Sequence, residues 1–221
     1  MILSVDNVTY KYKNAKAPVL EDVSAVFSKG DISAVTGPNG SGKTTLAKVI
    51  MGILKPQEGR VTISSGDGVT DISSLSLAET GRKIGYVMQD PARQMFSTTV
   101  REEMEYGLRN MGLDEKETEA RKKRFLSYFD MEGYEETFPF SLSQGEKQRL
   151  VLAAVLAMEP EWLILDEPTA SLDVRRKRML GEYLLKIKND LGSGIIIISH
   201  DASFVRRYAQ AEIKMTGDGH V

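Results

Sequence analysis

The chain has no cysteine in 221 residues. That excludes a disulfide framework and any thiolate metal centre, and it fits a reducing compartment. Long apolar runs are also missing. The longest, Leu150–Met158 and Ile195–Ile198, fall far short of the roughly 20 residues that cross a bilayer. The N-terminus has no basic start followed by an apolar stretch and does not read as a secretory leader. No charge sign dominates, with 29 basic against 31 acidic residues and a net charge of −2. Nothing calls for a polyanionic partner, so no nucleic acid is expected. Internal repeats, low-complexity tracts and disordered linkers are absent as well. What remains is 41% hydrophobic, enough for a sizeable core in one large domain, or one domain with a small subdomain.

The pattern is α/β. Short β-type runs at Ile2–Val5, Val23–Phe27 and Ile32–Val35 alternate with turn residues and predict an antiparallel N-terminal part. A helix is expected over Lys43–Leu54, stopped near Pro56. Short strands are expected at Val61–Ile63 and Ile84–Met88, then charge-rich helices at Thr99–Asn110 and Asp114–Asp130. In the second of these, the basic run Arg121–Arg124 reads as a solvated face over Phe125, Leu126 and Phe129. Arg175–Arg178 reads the same way, outside the stripe Leu180, Leu184, Ile187 and Leu191. Helices are predicted at Gly145–Met158 and from Asp173 to Gly192. The fully apolar runs Trp162–Leu165 and Ile195–Ile198 predict central strands covered on both faces. A last strand is expected near Ile213–Met215. The whole of 1–221 reads as one domain with a helical insert at about 98–150.

The chemistry concentrates in a few places. Gly37-Pro-Asn39-Gly40-Ser41-Gly42-Lys43-Thr44 matches G-x-x-x-x-G-K-[ST]. Its glycines let backbone N–H groups close around phosphate, Lys43 adds a point charge, and the Thr44 hydroxyl can bind Mg²⁺. The loop leaves an apolar strand and opens a helix, and Thr45 follows in the first turn. The run Trp162–Leu165 ends in Asp166-Glu167. A carboxylate at that place suits Mg²⁺, and Glu167 beside it suits a general base for water. Gln89 follows a strand, where an amide can ligate Mg²⁺ or orient water, or simply be solvated. His200 follows another strand, where an imidazole either caps the strand end or bonds a γ-phosphate. Tyr12 is either an adenine-stacking ring or a strand-edge aromatic. Ser143-Gln144-Gly145-Glu146 fits a capping box, and a helix N-terminus with a free hydroxyl and a glycine is also an anion site. With phosphate already held at Gly37–Thr44, that second cradle makes sense for a nucleotide bound by another copy of the chain.

Together these motifs closely resemble the ATP-binding subunits of ABC transporters over essentially the whole chain. The resemblance makes Gly37–Thr44 the Walker A loop, Gln89 the Q-loop and Leu142–Glu146 the signature. Leu163–Asp166 with Glu167 becomes Walker B, Ser171-Leu172-Asp173 the D-loop, and His200 the switch histidine. It implies a P-loop NTPase fold of ABC type binding ATP and Mg²⁺. It also implies a second ATPase chain, identical or not, and integral membrane subunits, which place the protein peripherally at the cytoplasmic face of the cell membrane. The segment Gln89-Asp-Pro-Ala-Arg-Gln94-Met-Phe96, with Thr99-Val100, Glu103 and Tyr106-Gly107, resembles the ATPases of energy-coupling factor transporters, which drive uptake of vitamins or of cobalt and nickel ions. Many of these carry a further C-terminal segment that is not in this sequence. Another ABC importer or exporter is the alternative. A soluble ABC protein acting on ribosomes or DNA resembles the chain less, because neither tandem ATPase domains nor a long coiled coil is present. Gln144 and Glu146 depart from the usual signature, while Ser143 and Gly145, its presumed phosphate contacts, are kept.

Overall fold

The computed structural model describes residues 1–66, 68–170, 172–217 and 219–220. Among the described residues nine strands form two sheets. Strands β1 (Ile2–Tyr10), β2 (Leu20–Ser28), β4 (Glu58–Ser65) and β5 (Gly68–Asp71) make an antiparallel sheet in the order β2-β1-β4-β5. Strands β3 (Ile32–Thr36), β6 (Ile84–Val87), β7 (Trp162–Asp166), β8 (Gly194–Ile198) and β9 (Ala211–Lys214) make a parallel sheet in the order β6-β7-β8-β3-β9. The helices are α1 (Lys43–Ile50), α2 (Leu77–Lys83), α3 (Val100–Asn110), α4 (Glu115–Tyr128), α5 (Gln144–Ala157), α6 (Val174–Leu191) and α7 (Ala202–Tyr208).

The apolar runs of β7 and β8 are buried along their whole length, and the period of two divides them between two cores. Leu163, Leu165, Ile195 and Ile197 face a core shared with α3 to α6. Trp162, Ile164, Ile196 and Ile198 face a second core with α1 and the antiparallel sheet. Continuous apolarity is therefore what a parallel strand sandwiched between two layers demands.

Several expected boundaries move. β3 does not join the antiparallel N-terminal part: it pairs parallel with β8, Ile32 against Ile195, and with β9, Ser33 against Ala211. Helix α1 ends at Ile50 rather than Leu54, because the chain turns at Gly52 and the amides of Ile53 and Leu54 both return to the Lys48 carbonyl. Three other expected helix starts are caps instead. Thr99, Asp114 and Asp173 each accept an amide of the first turn from outside the helix.

The basic run on α4 is not uniformly solvated. Phe125, Leu126 and Phe129 are buried as expected, but Lys122 is fully buried with them. Its ammonium bonds Glu105 of α3 at 2.9 Å and Glu119 one turn back. Burial alone would lower its pKa, but the bonds to Glu119 and Glu105 outweigh burial and hold it above the ordinary lysine value. Breaking a buried pair by deleting one partner costs about 3–5 kcal/mol, whereas the isolated pair need not stabilise at all. Glu119 is 39% exposed, so water compensates part of that loss. Lys122→Met should therefore destabilise the protein by about 2–3 kcal/mol in urea unfolding, and adding Glu105→Gln should recover part of it.

Candidate functional site

The phosphate loop joins β3 to α1. Gly37 has φ 147°, and a Cβ there would lie 2.4 Å from the Met215 carbonyl oxygen. Gly42 has φ 91°, and a Cβ would lie 2.8 Å from the Val19 carbonyl oxygen. Both close approaches admit only glycine. Lys43 is 7% exposed and donates to the Gly37 and Pro38 carbonyls at 2.9 and 2.8 Å. The Ser41 hydroxyl is buried with no hydrogen-bond partner among the described residues. An orphaned polar group in such a loop is an open valence for a ligand oxygen.

An open cleft of about 560 Å³ brings the loop together with the residues expected to act on a nucleotide. Asn39, Gly40, Gly42, Lys43, Thr44 and Thr45 line one side. Gln89, Glu167 and His200 line the other. Tyr12 stands at the edge, 38% exposed, its hydroxyl 3.2 Å from the Thr45 hydroxyl and its ring edge-on to Tyr10 at 5.0 Å. Asp166, 5% exposed at the end of β7, accepts the Thr44 hydroxyl at 3.3 Å on Oδ1.

Glu167 is held unusually. Its backbone sits in the left-handed region at φ 47°, and its amide donates to the Ile198 carbonyl at 2.8 Å. A non-glycine residue there costs on the order of 1 kcal/mol and persists only where surroundings fix it. Its Oε2 accepts the His200 imidazole Nδ1 at 2.8 Å and the His200 amide at 3.4 Å. Beyond His200, Asp201 caps α7. Burial pushes the Asp201 carboxyl up, but bonds from Lys177, Ser203 and the Phe204 amide prevail and hold it well below the usual carboxylate range.

Ser143, Gly145 and Asp173 lie elsewhere. They line a separate cavity of about 330 Å³ between α5 and α6, with Arg149 and Arg176. The capping box is formed: Ser143 accepts the Glu146 amide, and Glu146 accepts the Ser143 amide at 2.8 Å. Bonds from Ser143, then from Tyr134 and the charge of Arg149, keep the Glu146 carboxyl below its ordinary value. Asp173 caps α6, and Ser171 of the expected D-loop lies outside the described residues. Ser143 and Gly145 line neither the phosphate-loop cleft nor the cavity along Thr44 and Asp166, although Gln144 between them lines the latter.

Two contributors were not foreseen. Tyr86 of β6 donates its hydroxyl to Asp166 Oδ2 at 2.9 Å. Burial, then the Asp166 charge and hydrogen bond, raise its pKa well above that of an ordinary tyrosine. A lone hydroxyl in the otherwise apolar run Ile84–Val87 was the available signal. Gln148 on α5, which is nearly buried, donates to the Pro168 carbonyl at 3.0 Å and ties the capped helix to the segment after Glu167.

The phosphate loop, a strand-end aspartate and the glutamate–histidine pair define a P-loop ATPase. The family model described as ABC transporter matches residues 20–170, and the chain belongs to that family as an ATP-binding subunit. It is 40% identical over 220 residues to a provisionally named ABC transporter ATP-binding protein of Pyrococcus furiosus, spanning 100% of this chain and 82% of that one. Among solved structures, cbiO1 from Clostridium perfringens, described as part of the ABC transporter complex cbiONQ, is 35% identical with a TM-score of 0.89, covering 99% of this chain and 86% of that one. The ATP-binding cassette MJ0796, solved as a dimer in a post-hydrolysis state with ADP and Pi, is 27% identical with a TM-score of 0.84, covering 99% and 96%. The cassettes of this family dimerise and work with membrane subunits. Among the described residues no helix is long and apolar enough to cross a membrane.

Proposed function

We propose that this chain is the ATPase of an energy-coupling factor type transporter, peripheral to the cytoplasmic face of the membrane, powering uptake of a vitamin or a transition-metal ion. The observation that carries this reading is the build of segment 88–97. Gln94 grips the free edge of β6, donating from Nε2 to the Tyr86 carbonyl at 2.7 Å and accepting the Met88 amide at 3.1 Å. Glu103 of α3 accepts the amides of Phe96 and Ser97 at 3.1 and 2.9 Å. With the backbone so satisfied, Phe96 and Tyr106 stack edge-to-face at 4.6 Å while remaining 59% and 53% exposed, with Met88 nearby in sequence also exposed. An apolar pair held rigidly in water is suited to receive a helix from a membrane subunit. The likeness to cbiO1 over nearly the whole chain supports the same subfamily.

In this reading residues 1–221 form one ATPase domain with the helical part at about 98–150. Tyr12 stacks on adenine, and the loop amides with Lys43 and Thr45 hold the phosphates. Thr44, Asp166 and Gln89 offer hydroxyl, carboxylate and amide oxygens, a donor set that fits Mg²⁺. The ion supplies charge neutralisation on the transferring phosphate. Glu167 takes the proton of the attacking water, and His200 holds its carboxylate by the Nδ1–H bond. Ser143 and Gly145, with Asp173 nearby, meet the nucleotide held by a second chain, so two copies or two related chains close on two nucleotides.

Affinity purification from detergent-solubilised membranes tests the transport assignment. Two kinds of integral membrane protein, one binding a radiolabelled vitamin or metal ion, should co-elute with wild type and be lost with Phe96→Ser. Co-elution of ribosomes, or of membrane proteins that Phe96→Ser retains, overturns the reading.

A further inference from the structure

The Tyr86 side chain and main chain are engaged at opposite ends by two different parts of the site. Its hydroxyl donates to Asp166 Oδ2 at 2.9 Å. Its carbonyl accepts Gln94 Nε2 at 2.7 Å, and the same Gln94 amide accepts Met88 N–H two residues on. β6 is an edge strand of the parallel sheet, so this amide does for it what a neighbouring strand would do. Asp166 is nearly buried, and its other oxygen accepts the Thr44 hydroxyl. The two hydrogen bonds therefore fix the rotation of the carboxylate. A cavity of about 750 Å³ follows this line, lined by Ile53, Met88, Arg93, Tyr86, the exposed Thr44 and the nearly buried Asp166.

We propose that Tyr86 is a positioning residue of the ATPase site: its hydroxyl sets which oxygen Asp166 presents beside Thr44 to the nucleotide-bound divalent cation, and its main chain ties that orientation to the Gln94-braced segment 88–97. The inference rests on the reading of Asp166 as a ligand of that cation. Hydrogen bonds from outside the ligand set orient a ligating carboxylate, and their loss costs about 10–100-fold in metal affinity or activity. A displacement of segment 88–97 reaches Asp166 by the same route, since moving the Tyr86 carbonyl moves the ring that carries the hydroxyl.

The test is Tyr86→Phe, which removes one oxygen from a half-buried ring. Mn²⁺ stands in for Mg²⁺, its binding to the ATP-loaded protein is read by paramagnetic resonance, and ATP affinity without metal is read by calorimetry. Tyr86→Phe should weaken Mn²⁺ about tenfold, leave metal-free ATP affinity within about twofold, and lower kcat more than it raises the KM for ATP. Asp166→Asn is run in parallel. If Asp166→Asn weakens Mn²⁺ and Tyr86→Phe does not, the positioning role is wrong. If neither does, the reading of Asp166 is itself wrong. Gln94→Ala should also weaken Mn²⁺, and the double variant with Tyr86→Phe should show less than the product of the two effects, because coupled groups are not additive. Independent effects would remove the link to segment 88–97.

Discussion

Glu167→Gln should stop ATP turnover almost completely while leaving nucleotide binding intact. A positioned general base contributes about 10²–10⁴-fold, and the amide cannot take up a proton at neutral pH. The substitution keeps the size of the side chain, so the left-handed turn at Glu167 and its amide bond to Ile198 should survive. The contact with His200 Nδ1 should survive too, since the amide oxygen can accept the same N–H. The variant should therefore close on ATP and remain closed. On a sizing column with MgATP it should run as a dimer, and wild type under turnover should run mostly as a monomer. Turnover within a few-fold of wild type would remove Glu167 from the base role. A variant that neither turns over nor dimerises would point instead to lost folding or lost binding, which calorimetry separates.

The motif residues were legible because their chemistry is local. A phosphate loop, a strand-end Asp-Glu and a capping box each declare themselves within ten residues. What was not legible depends on partners far along the chain. Ile32–Val35 looks like any short strand, and only its pairing with Ile195–Ile198 and Ala211–Lys214 reveals which sheet it joins. Lys122 lies three residues before Phe125 and four before Leu126, which puts it on the apolar face of α4. That signal was present, but the Glu105 that makes its burial tolerable sits on another helix. Helix α2 was missed although Ser76 and Glu79 form the same capping box as Ser143 and Glu146. Its few apolar residues gave no stripe to go with the cap. Helix α7 was missed for its shortness, with Asp201 as its only strong mark. The Tyr86–Asp166 bond needed the register of β6 on β7, Tyr86 opposite Ile164, which no local pattern supplies.

Lys43→Ala should weaken ATP binding by about 10–100-fold, the equivalent of about 1.5–3 kcal/mol for a hydrogen bond to a charged group. The geometry at Lys43 shows where the cost arises. The ammonium is 7% exposed and is held by the carbonyls of Gly37 and Pro38. It is thus already poised beside the loop, and binding has only to exchange carbonyl oxygens for phosphate oxygens. Truncation to alanine removes the positive charge and also leaves the two carbonyls without this donor. Part of the loss would then be loop order rather than phosphate contact. Lys43→Met keeps most of the stem's packing but removes the charge and the donor to Gly37 and Pro38 together, so the choice of ligand rather than the variant separates the two. If Lys43 acts mainly as a point charge, alanine and methionine should lose ATP affinity equally, and the loss should be much smaller for adenosine, which has no phosphate to meet. If bracing of the loop dominates, both variants should lose affinity for adenosine about as much as for ATP. Calorimetric titration of the three proteins with ATP, ADP and adenosine decides between these outcomes, and equal loss for adenosine would remove the phosphate role altogether.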